Sequence, residues 1–491
     1  MDSKEAPCLQ ILLDYTAANP DPEHAVWKPA DTLSGRIELS NNDYLVIEEM
    51  TVCFEGVSRN WILEAIFIEG KPKLTKAEHK FHSQAQDIFL TNISQRVSPA
   101  GDFIYEAPFH FLISRVLAKP DPYSPQQCLQ LPPSLEHGNP VIDESTGKRF
   151  AQPNIAYYLR VTVSIKAGGE EEDSSSKTLE SSLPVTVTPY TEEFPPTETK
   201  DFPFEFKEQE SKALRRSLTG SSLGVMKLSM HEPPALTYNL GCTRSSTEAQ
   251  LKLEFEPASS CDAHQSLQGL SFTIRSWIRV KTFYSVKSFP KLPSQSMMSL
   301  RGTLRLRDEA LKLETRTILD ASWGYTFDSG SSSKDTCPDL TFQMVTSGGE
   351  PVDRDTLQRQ LQPSTTDPPT GRWTTILGLP IKVDTRLLPT FCSSIVARLY
   401  TVQLRIKVKG VRQEHFKLEV PLQVIHSSLD RHQSATAGPV REDQRFPGFR
   451  RASAASCFSE ESMVKQSYSL LELAEEFQES EHDDPPPHYR R

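Results

Sequence analysis

The sequence predicts an all-β protein with two tandem immunoglobulin-type β-sandwich domains and a disordered C-terminal tail. The main observation is a strict alternation of apolar and polar residues, typical of strands with one face on a core and one in water. In AYYLRVTVSIK the apolar positions are Tyr157, Leu159, Val161, Val163 and Ile165. In RLYTVQLRIKVKG they are Tyr400, Val402, Leu404, Ile406 and Val408. Breaks with Gly and Pro separate these runs, and helical periodicity is scarce before residue 460.

Changes in composition divide the chain into four predicted segments. Residues 1–190 form the first sandwich, which ends in SSLPVTVTPY. Residues 191–222 are rich in proline and charge, and we interpret them as a connector. Residues 223–427 form the second sandwich, which closes with FKLEVPLQVI. Residues 428–491 contain a basic stretch, a serine-rich run and an acidic run from Glu472 to Asp484, a composition that predicts a disordered regulatory tail.

Length and composition exclude several classes of protein. With 491 residues, 37% of them hydrophobic, the chain can bury real cores, and its net charge is −10. This acidity argues against a nucleic-acid partner, because phosphate binding needs a clustered basic surface. The start MDSKEAPCLQ has no signal-peptide pattern, and the most apolar window, WILEAIFIEG, carries two glutamates. We therefore expect a cytoplasmic protein whose eight cysteines, with no CxxC pair, are reduced.

No group of residues in the sequence predicts an enzyme. GSSLG (220–224) matches the Gly-x-Ser-x-Gly nucleophile pattern, but that chemistry needs a strand-to-helix turn, and here the motif follows ALRRSLT in the predicted connector. Cys261 and His264 form a lone pair, whereas a metal site needs more ligands. There is no HExxH and no phosphate-binding glycine loop. We expect no catalytic residues, no metal and no cofactor.

A basic strand face is the first candidate binding site. Arg275, Arg279 and Lys281 alternate along SFTIRSWIRVKTFY and share one predicted face with Trp277. Such a face fits acidic lipid headgroups or an acidic peptide. A solvated outer sheet face would carry the same pattern, so both interpretations stay open.

Two serines are candidate phosphorylation sites. In RRAS, Arg450 and Arg451 precede Ser453 at the positions that a basophilic kinase recognises. Phosphorylation would add about two negative charges there and create a site for a phosphoserine reader such as 14-3-3. Ser217 in LRRSL is a poorer copy of the same pattern. An unused cluster of basic residues and serines is the alternative for both.

Several motifs, in order, resemble the arrestin fold. VWKPADTLSGRIEL followed by VCFEGVSRNW is similar to the start of an arrestin N-terminal domain, and SPAGDFIYEAPFHFLIS resembles its next signature. LQLPPSLEHG is similar to a loop common in fungal alpha-arrestins, and NIAYYLRVTV to the strand after it. EPPALTYNLG, AQLKLEFEPAS and LQGLSFTIRSWIRVKTFYS resemble the opening of an arrestin C-terminal domain. The motif residues are Gly35, Phe54, Gly56, Gly101, Phe103, Phe109 and Phe111.

The resemblance to alpha-arrestins covers about residues 8–427 and implies two arrestin-like sandwiches. One position departs from the pattern, since Ala30 stands where family members often have glycine before the aspartate. Alpha-arrestins are scaffolds whose Pro-Pro-x-Tyr motifs are bound by the WW domains of HECT-type ubiquitin ligases. Here Pro486, Pro487, His488 and Tyr489 match that motif.

The chemistry of the motif explains how it would bind. Consecutive prolines hold a polyproline II conformation before binding, which lowers the ordering cost. WW domains bind proline rings in aromatic grooves, and Tyr489 adds a ring and a hydroxyl that give specificity. No other Pro-Pro-x-Tyr occurs in the chain, so the affinity should be modest unless a second contact contributes.

The resemblance therefore implies an adaptor. The sandwiches would bind cytosolic tails or loops of a membrane protein, and the tail would recruit the ligase, promoting ubiquitination and endocytosis. The resemblance also implies recruitment to the cytosolic face of the plasma membrane or endosomes, with peripheral membrane association. The alternatives are a signalling arrestin of an ambient-pH or receptor pathway, and a retromer-like coat subunit, which has no need for Tyr489.

Overall fold

β-Strands make up most of the structure. The computed structural model describes residues 6–14, 25–68, 71–117, 129–136, 138, 141–142, 147, 149–150, 152–167, 176–194, 201–202, 207–216, 222–258, 267–299, 302–327, 371–412 and 414–428. Most of the described residues lie in antiparallel strands, which confirms the all-β prediction. The predicted tail beyond Ser428 lies outside the described residues.

In the described part of the chain, twelve strands precede the predicted connector. They are β1 (Cys8–Leu13), β2 (Val26–Trp27), β3 (Thr32–Asn41), β4 (Leu45–Ile68), β5 (Lys71–Asp87), β6 (Ser94–Val97), β7 (Phe103–Leu112), β8 (Leu135–Glu136), β9 (Val141–Ile142), β10 (Arg149–Phe150), β11 (Asn154–Ala167) and β12 (Lys177–Val187). A single 3-10 turn, Leu90–Asn92, follows β5.

Two sheets of this first group pack face to face. One has the order β1-β3-β7-β6, and the other has the order β2-β12-β11-β4-β5 with β8 also paired to β11. Ile37 and Phe109 from the first sheet and Val52 and Leu159 from the second lie in one buried core. The alternation predicted for β11 is confirmed, because all five of its predicted apolar positions are buried. A sheet that is apolar on one face only is stable when that face is covered in this way.

Thirteen further strands among the described residues form the second group. They are β13 (Lys207–Arg215), β14 (Ser222–His231), β15 (Leu236–Tyr238), β16 (Ser245–Pro257), β17 (Ser271–Tyr284), β18 (Arg305–Lys312), β19 (Arg316–Ile318), β20 (Gly324–Phe327), β21 (Gly371–Val383), β22 (Phe391–Cys392), β23 (Val396–Lys409), β24 (Glu414–Leu422) and β25 (Val424–His426). A 3-10 turn, Gln295–Met297, lies between β17 and β18.

The second group is also a sandwich. One sheet has the order β13-β14-β16-β21-β20, and the other has the order β18-β17-β23-β22, with β19 paired to β17 and β24 to β23. Leu228 and Phe255 from the first sheet meet Phe272, Ile406 and Leu418 from the second in a separate core. The five apolar positions predicted for β23 are at most 2% exposed, as expected, but the polar Thr401 and Gln403 between them are buried too, so the outward face of β23 meets solvent only in its second half.

The segment predicted as a connector, residues 191–222, contains a strand. β13 pairs with β14 along its whole length, from Lys207 opposite His231 to Arg215 opposite Ser222. Its side chains alternate between exposed and half-buried up to Leu214, which is fully buried in the core, because β13 is an edge strand that covers the core mainly at its end. The second sandwich therefore begins before residue 223.

The two sandwiches are in direct contact. Asn60 on β4 is fully buried, and its Nδ2 donates to the carbonyl oxygens of Ser285 at 2.8 Å and Ile395 at 3.0 Å. Ser394 Oγ and His79 Nδ1 are 2.7 Å apart. Phe391 and Ile395 lie at β22 and just before β23 of the second sandwich, yet their side chains belong to the core of the first. The long β4–β5 hairpin thus joins the two units.

The cysteines only partly match the expectation of reduced thiols. Cys8, Cys53 and Cys242 are free, whereas the buried Cys392 is disulfide-bonded. In the described part of the chain, no helix has the length and apolar composition that a membrane crossing requires.

Candidate binding face on the second sandwich

Three neighbouring strands carry a row of positive charge on the outer face of the second sandwich. β17, β23 and β24 lie side by side, and Arg275 is directly opposite Arg405, which is directly opposite Lys417. Residues directly opposite each other on antiparallel strands point to the same face, with Cβ atoms about 5 Å apart. We call Arg275, Arg405 and Lys417 the basic row. Arg275 and Lys417 are exposed and Arg405 is half-buried.

The next row along the strands adds to this charge. Thr273 is opposite Lys407, which is opposite His415. In the part of the chain that the structure describes, no carboxylate forms an ion pair with Arg275, Lys407 or Lys417. Like charges directly opposite each other destabilise a sheet. Repulsion among these cations therefore costs stability.

Trp277 supports the middle of the basic row. The guanidinium carbon of Arg405 lies 5.8 Å from the centre of the Trp277 ring, a cation–π distance. Trp277 is only 8% exposed, so the arginine rests on a fixed surface. Burial lowers the pKa of Arg405, and the neighbouring guanidiniums of Arg279 and Arg275 lower it further. Arg279 and Arg275 therefore lie close enough to Arg405 to repel its charge.

The face differs from the predicted set of Arg275, Arg279 and Lys281, because two of these residues are ion-paired. Arg279 makes a two-pronged contact with Asp308, with Nε 2.9 Å from Oδ1. Lys281 is only 5% exposed and bonds Glu419. Burial raises the pKa of Glu419, but Lys281, Thr401 and Arg279 together hold that pKa below its usual value. Of the three, only Arg275 faces solvent without a carboxylate partner among the described residues.

Arg405, Lys407 and Lys417 are residues of this face that the sequence prediction missed. Arg405 and Lys407 stand at the polar positions of the β23 alternation, so the signal that they point outward is present in the sequence. Their pairing with β17 is not, because the two strands are more than a hundred residues apart and their register depends on the folded sheet.

Two carboxylates close the open edge of β24 beside the basic row. Glu208 on β13 accepts a hydrogen bond from the backbone N–H of Glu419, and Glu210 accepts one from the N–H of Lys417 at 2.6 Å. Burial raises the pKa of Glu208, partly offset by this hydrogen bond. An unpaired strand edge would otherwise be open to another chain. The positive charge of Lys417 also acts on Glu208, where it lowers the pKa of that carboxyl against the effect of burial.

The other predicted sites fall elsewhere. Pro486, Pro487 and Tyr489, and both phosphorylation candidates, Ser453 and Ser217, lie outside the described residues. Ser222 of the GSSLG motif opens β14, and its Oγ is 3.4 Å from the carbonyl oxygens of Leu214 and Gly224. A strand follows this serine, whereas the nucleophile pattern requires a helix there. Among the described residues, no three His, Cys, Asp or Glu side chains are placed to hold a metal ion.

Comparison with known proteins adds no relative to this picture. No protein-family model matches the sequence, and no curated protein matches it either.

Proposed function

We propose that this protein is an arrestin-like adaptor that recruits a HECT-type ubiquitin ligase to a membrane protein. The observation that carries the proposal is the sequence Pro486-Pro487-His488-Tyr489, which meets the requirements of a WW-domain ligand. Two β-sandwiches in direct contact support it, because together they provide a broad surface for a partner.

The adaptor acts by bringing two partners together. One surface of the sandwiches binds a cytosolic tail or loop of a transporter or receptor, and the tail of the adaptor binds the ligase. Holding ligase and acceptor lysine in one complex raises their effective concentration, so the adaptor needs no chemistry of its own. Under this proposal the protein works in the cytoplasm and at the cytosolic face of the plasma membrane or endosomes.

Ser453 is the proposed point of regulation. Its phosphate would sit beside Arg450 and Arg451 and either fold back on them or bind a 14-3-3 protein. Both outcomes would change access to the WW-binding motif, which is in the same tail.

The test is a titration of a peptide of residues 480–491 against isolated ligase WW domains. We expect saturable binding that Tyr489→Ala weakens by more than about tenfold, because the tyrosine is the specificity contact. Pro485→Ala is the matched control, since Pro485 precedes the motif and should contribute little. Binding by neither peptide would refute the ligase contact and favour a coat subunit. Co-precipitation of the full chain with the ligase should likewise be lost in Tyr489→Ala.

A further inference from the structure

We propose that His82 makes the contact between the two sandwiches sensitive to acid, because a proton on its buried imidazole would release β5 from the core. The proposal does not depend on the ligase contact. It concerns the β4–β5 hairpin, and its test uses no ligase.

A β-bulge places His82 inside the first sandwich. Both Lys80 and His82 are paired with residues of β4, whereas Phe81 between them has no partner in the ladder. The extra residue of a bulge changes the direction of the side chains around it. As a result, Phe81 and His82 are both buried although they are consecutive. His82 packs edge-on against Phe54, with 5.1 Å between the ring centres.

The imidazole of His82 has no polar partner among the described residues. It is 3% exposed, and neither of its nitrogens forms a hydrogen bond. Burial alone acts on the pKa of His82 and lowers it below the ordinary value of 6.5. A neutral imidazole leaves one N–H unsatisfied here, whereas a protonated one would bury a charge and two unsatisfied donors. The folded hairpin therefore strongly favours the neutral form.

The described groups around His82 provide no charge that would compensate a proton. β4 and β5 carry Glu55 and Lys80, which bond each other at 2.6 Å on the other face of the sheet. β11 contributes Tyr157, whose hydroxyl donates to a backbone carbonyl oxygen. Burial raises the pKa of Tyr157 well above its usual value, so this phenol stays neutral. β7 contributes the apolar ring of Phe111, which lies against Phe54.

The same face of the hairpin continues into the contact with the second sandwich. Ser58 and Asn60 occupy alternate positions of β4, about 7 Å apart, and His79 on β5 is opposite Ser58. His79 contacts Ser394, and Asn60 donates to two carbonyl oxygens of the second sandwich. Release of β5 would therefore separate His79 from Ser394 and uncover Asn60.

The position of β5 allows it to open locally. In the described sheet β5 is an edge strand that pairs with β4 alone, so it can open without breaking another ladder. In the open state the imidazole is in water, where its pKa is about 6.5. Because the closed state has the lower pKa, the stabilisation of closure is complete above about pH 6.5. It is lost as pH falls toward the pKa of the closed state, and the opening constant rises by up to about tenfold per pH unit.

The test is amide hydrogen exchange of the full chain between about pH 7.5 and 5, with each rate corrected for the intrinsic pH dependence of exchange. In wild type we expect the protection of residues 77–83 to fall several-fold with acid. The amide of Phe289, which donates to the carbonyl oxygen of Ser394, should lose protection with them, since it lies on the other side of the contact. His82→Phe and His82→Leu should abolish this change and raise the protection at about pH 7.5, because each removes an unsatisfied polar group.

Matched controls separate this effect from general acid sensitivity. His110→Gln removes an exposed histidine from β7 and should leave the profile of residues 77–83 as in wild type. The amides of β16, inside the second sandwich, should respond equally in wild type and in the His82 variants.

Three results would overturn the proposal. The first is the same pH dependence at residues 77–83 in wild type and in both apolar variants. The second is an effect of His82 as large at β16 as at β5, because the whole chain and not the hairpin would then be opening. The third is failure of both apolar variants to fold, which would show that the imidazole has a polar partner in the closed state.

Discussion

Ala30 adopts a backbone conformation that favours glycine. It lies in the turn between Lys28 and Asp31, with φ at 71°. In this left-handed region the Cβ of an L-residue crowds its own backbone, at a cost of about 1–2 kcal/mol. Two hydrogen bonds stabilise the turn. The backbone N–H of Ala30 donates to the carbonyl oxygen of Ile113, and the carboxylate of Asp31 accepts from the backbone N–H of Lys28. The position at which the sequence departs from the arrestin pattern is thus a strained one.

Replacing Ala30 by glycine should therefore stabilise the protein. We expect Ala30→Gly to raise the free energy of unfolding by roughly 0.5–1 kcal/mol, since relief of the left-handed strain exceeds the added entropy of the unfolded chain. Urea unfolding of the full chain measures it. Ala25→Gly is the control, because Ala25 is buried and has no positive φ, and it should lose stability. An Ala30→Gly variant no more stable than wild type would contradict the account.

At the scale of the element, side chains of β13 bind the backbone N–H groups along the open edge of β24. Glu208 and Glu210 alternate along β13, so both point toward β24, and they accept from the N–H groups of residues 419 and 417. These N–H groups face away from β23, because hydrogen-bonding direction alternates along a strand. The two sheets of the sandwich are therefore joined at this side by charge-assisted hydrogen bonds between side chain and backbone.

Removal of these carboxylates should open the edge of β24. In Glu208→Ala/Glu210→Ala, we expect amide hydrogen exchange at Lys417 and Glu419 to accelerate by about tenfold or more, because each loses a charge-assisted bond. The amides of Phe416 and Leu418, which face β23, are the internal control and should keep their protection. Uniform acceleration along β24 would mean that the strand unfolds as a whole and that the carboxylates do not act at the edge.

At the scale of the whole molecule, the buried amide of Asn60 ties the sandwiches together. Its two hydrogen bonds reach Ser285 and Ile395, which are distant in sequence and belong to the second sandwich. Its Oδ1 is buried and has no partner among the described atoms, so only the donor half of the amide is used. Because this contact fixes one sandwich against the other, it also fixes any binding surface to which both sandwiches contribute.

Asn60→Ala should destabilise the protein by about 1–3 kcal/mol, because two buried carbonyl groups lose a donor. Asn60→Asp should cost more, since it places a carboxylate against two carbonyl oxygens without water. Calorimetric unfolding of the full chain measures both. Ser58→Ala is the matched control on the same strand, because its hydroxyl is buried without a partner, and the change should stay within about 0.5 kcal/mol. Equal effects of Asn60→Ala and Ser58→Ala would show that the interface does not depend on this amide.

The sequence alone determined the strands and their faces. In β11 and β23 the apolar positions are buried as predicted, because alternation records directly which side of a strand meets water. It also predicted an outward-facing cation at Arg275. The Pro-Pro-x-Tyr motif is equally a property of the sequence, since its chemistry is contained in four consecutive residues.

The tertiary structure decided which charges meet. Arg279 and Lys281 lie on the predicted face, yet Asp308 and Glu419 from other strands neutralise them. Arg405 and Lys417 join Arg275 only through cross-strand register, which sequence periodicity does not specify. The sequence of β13 resembles a charged connector because an edge strand buries few side chains. Its pairing with β14 exists only in the folded sandwich. Alternation is a local property of the chain, whereas register and ion pairing depend on residues that folding brings together from far apart.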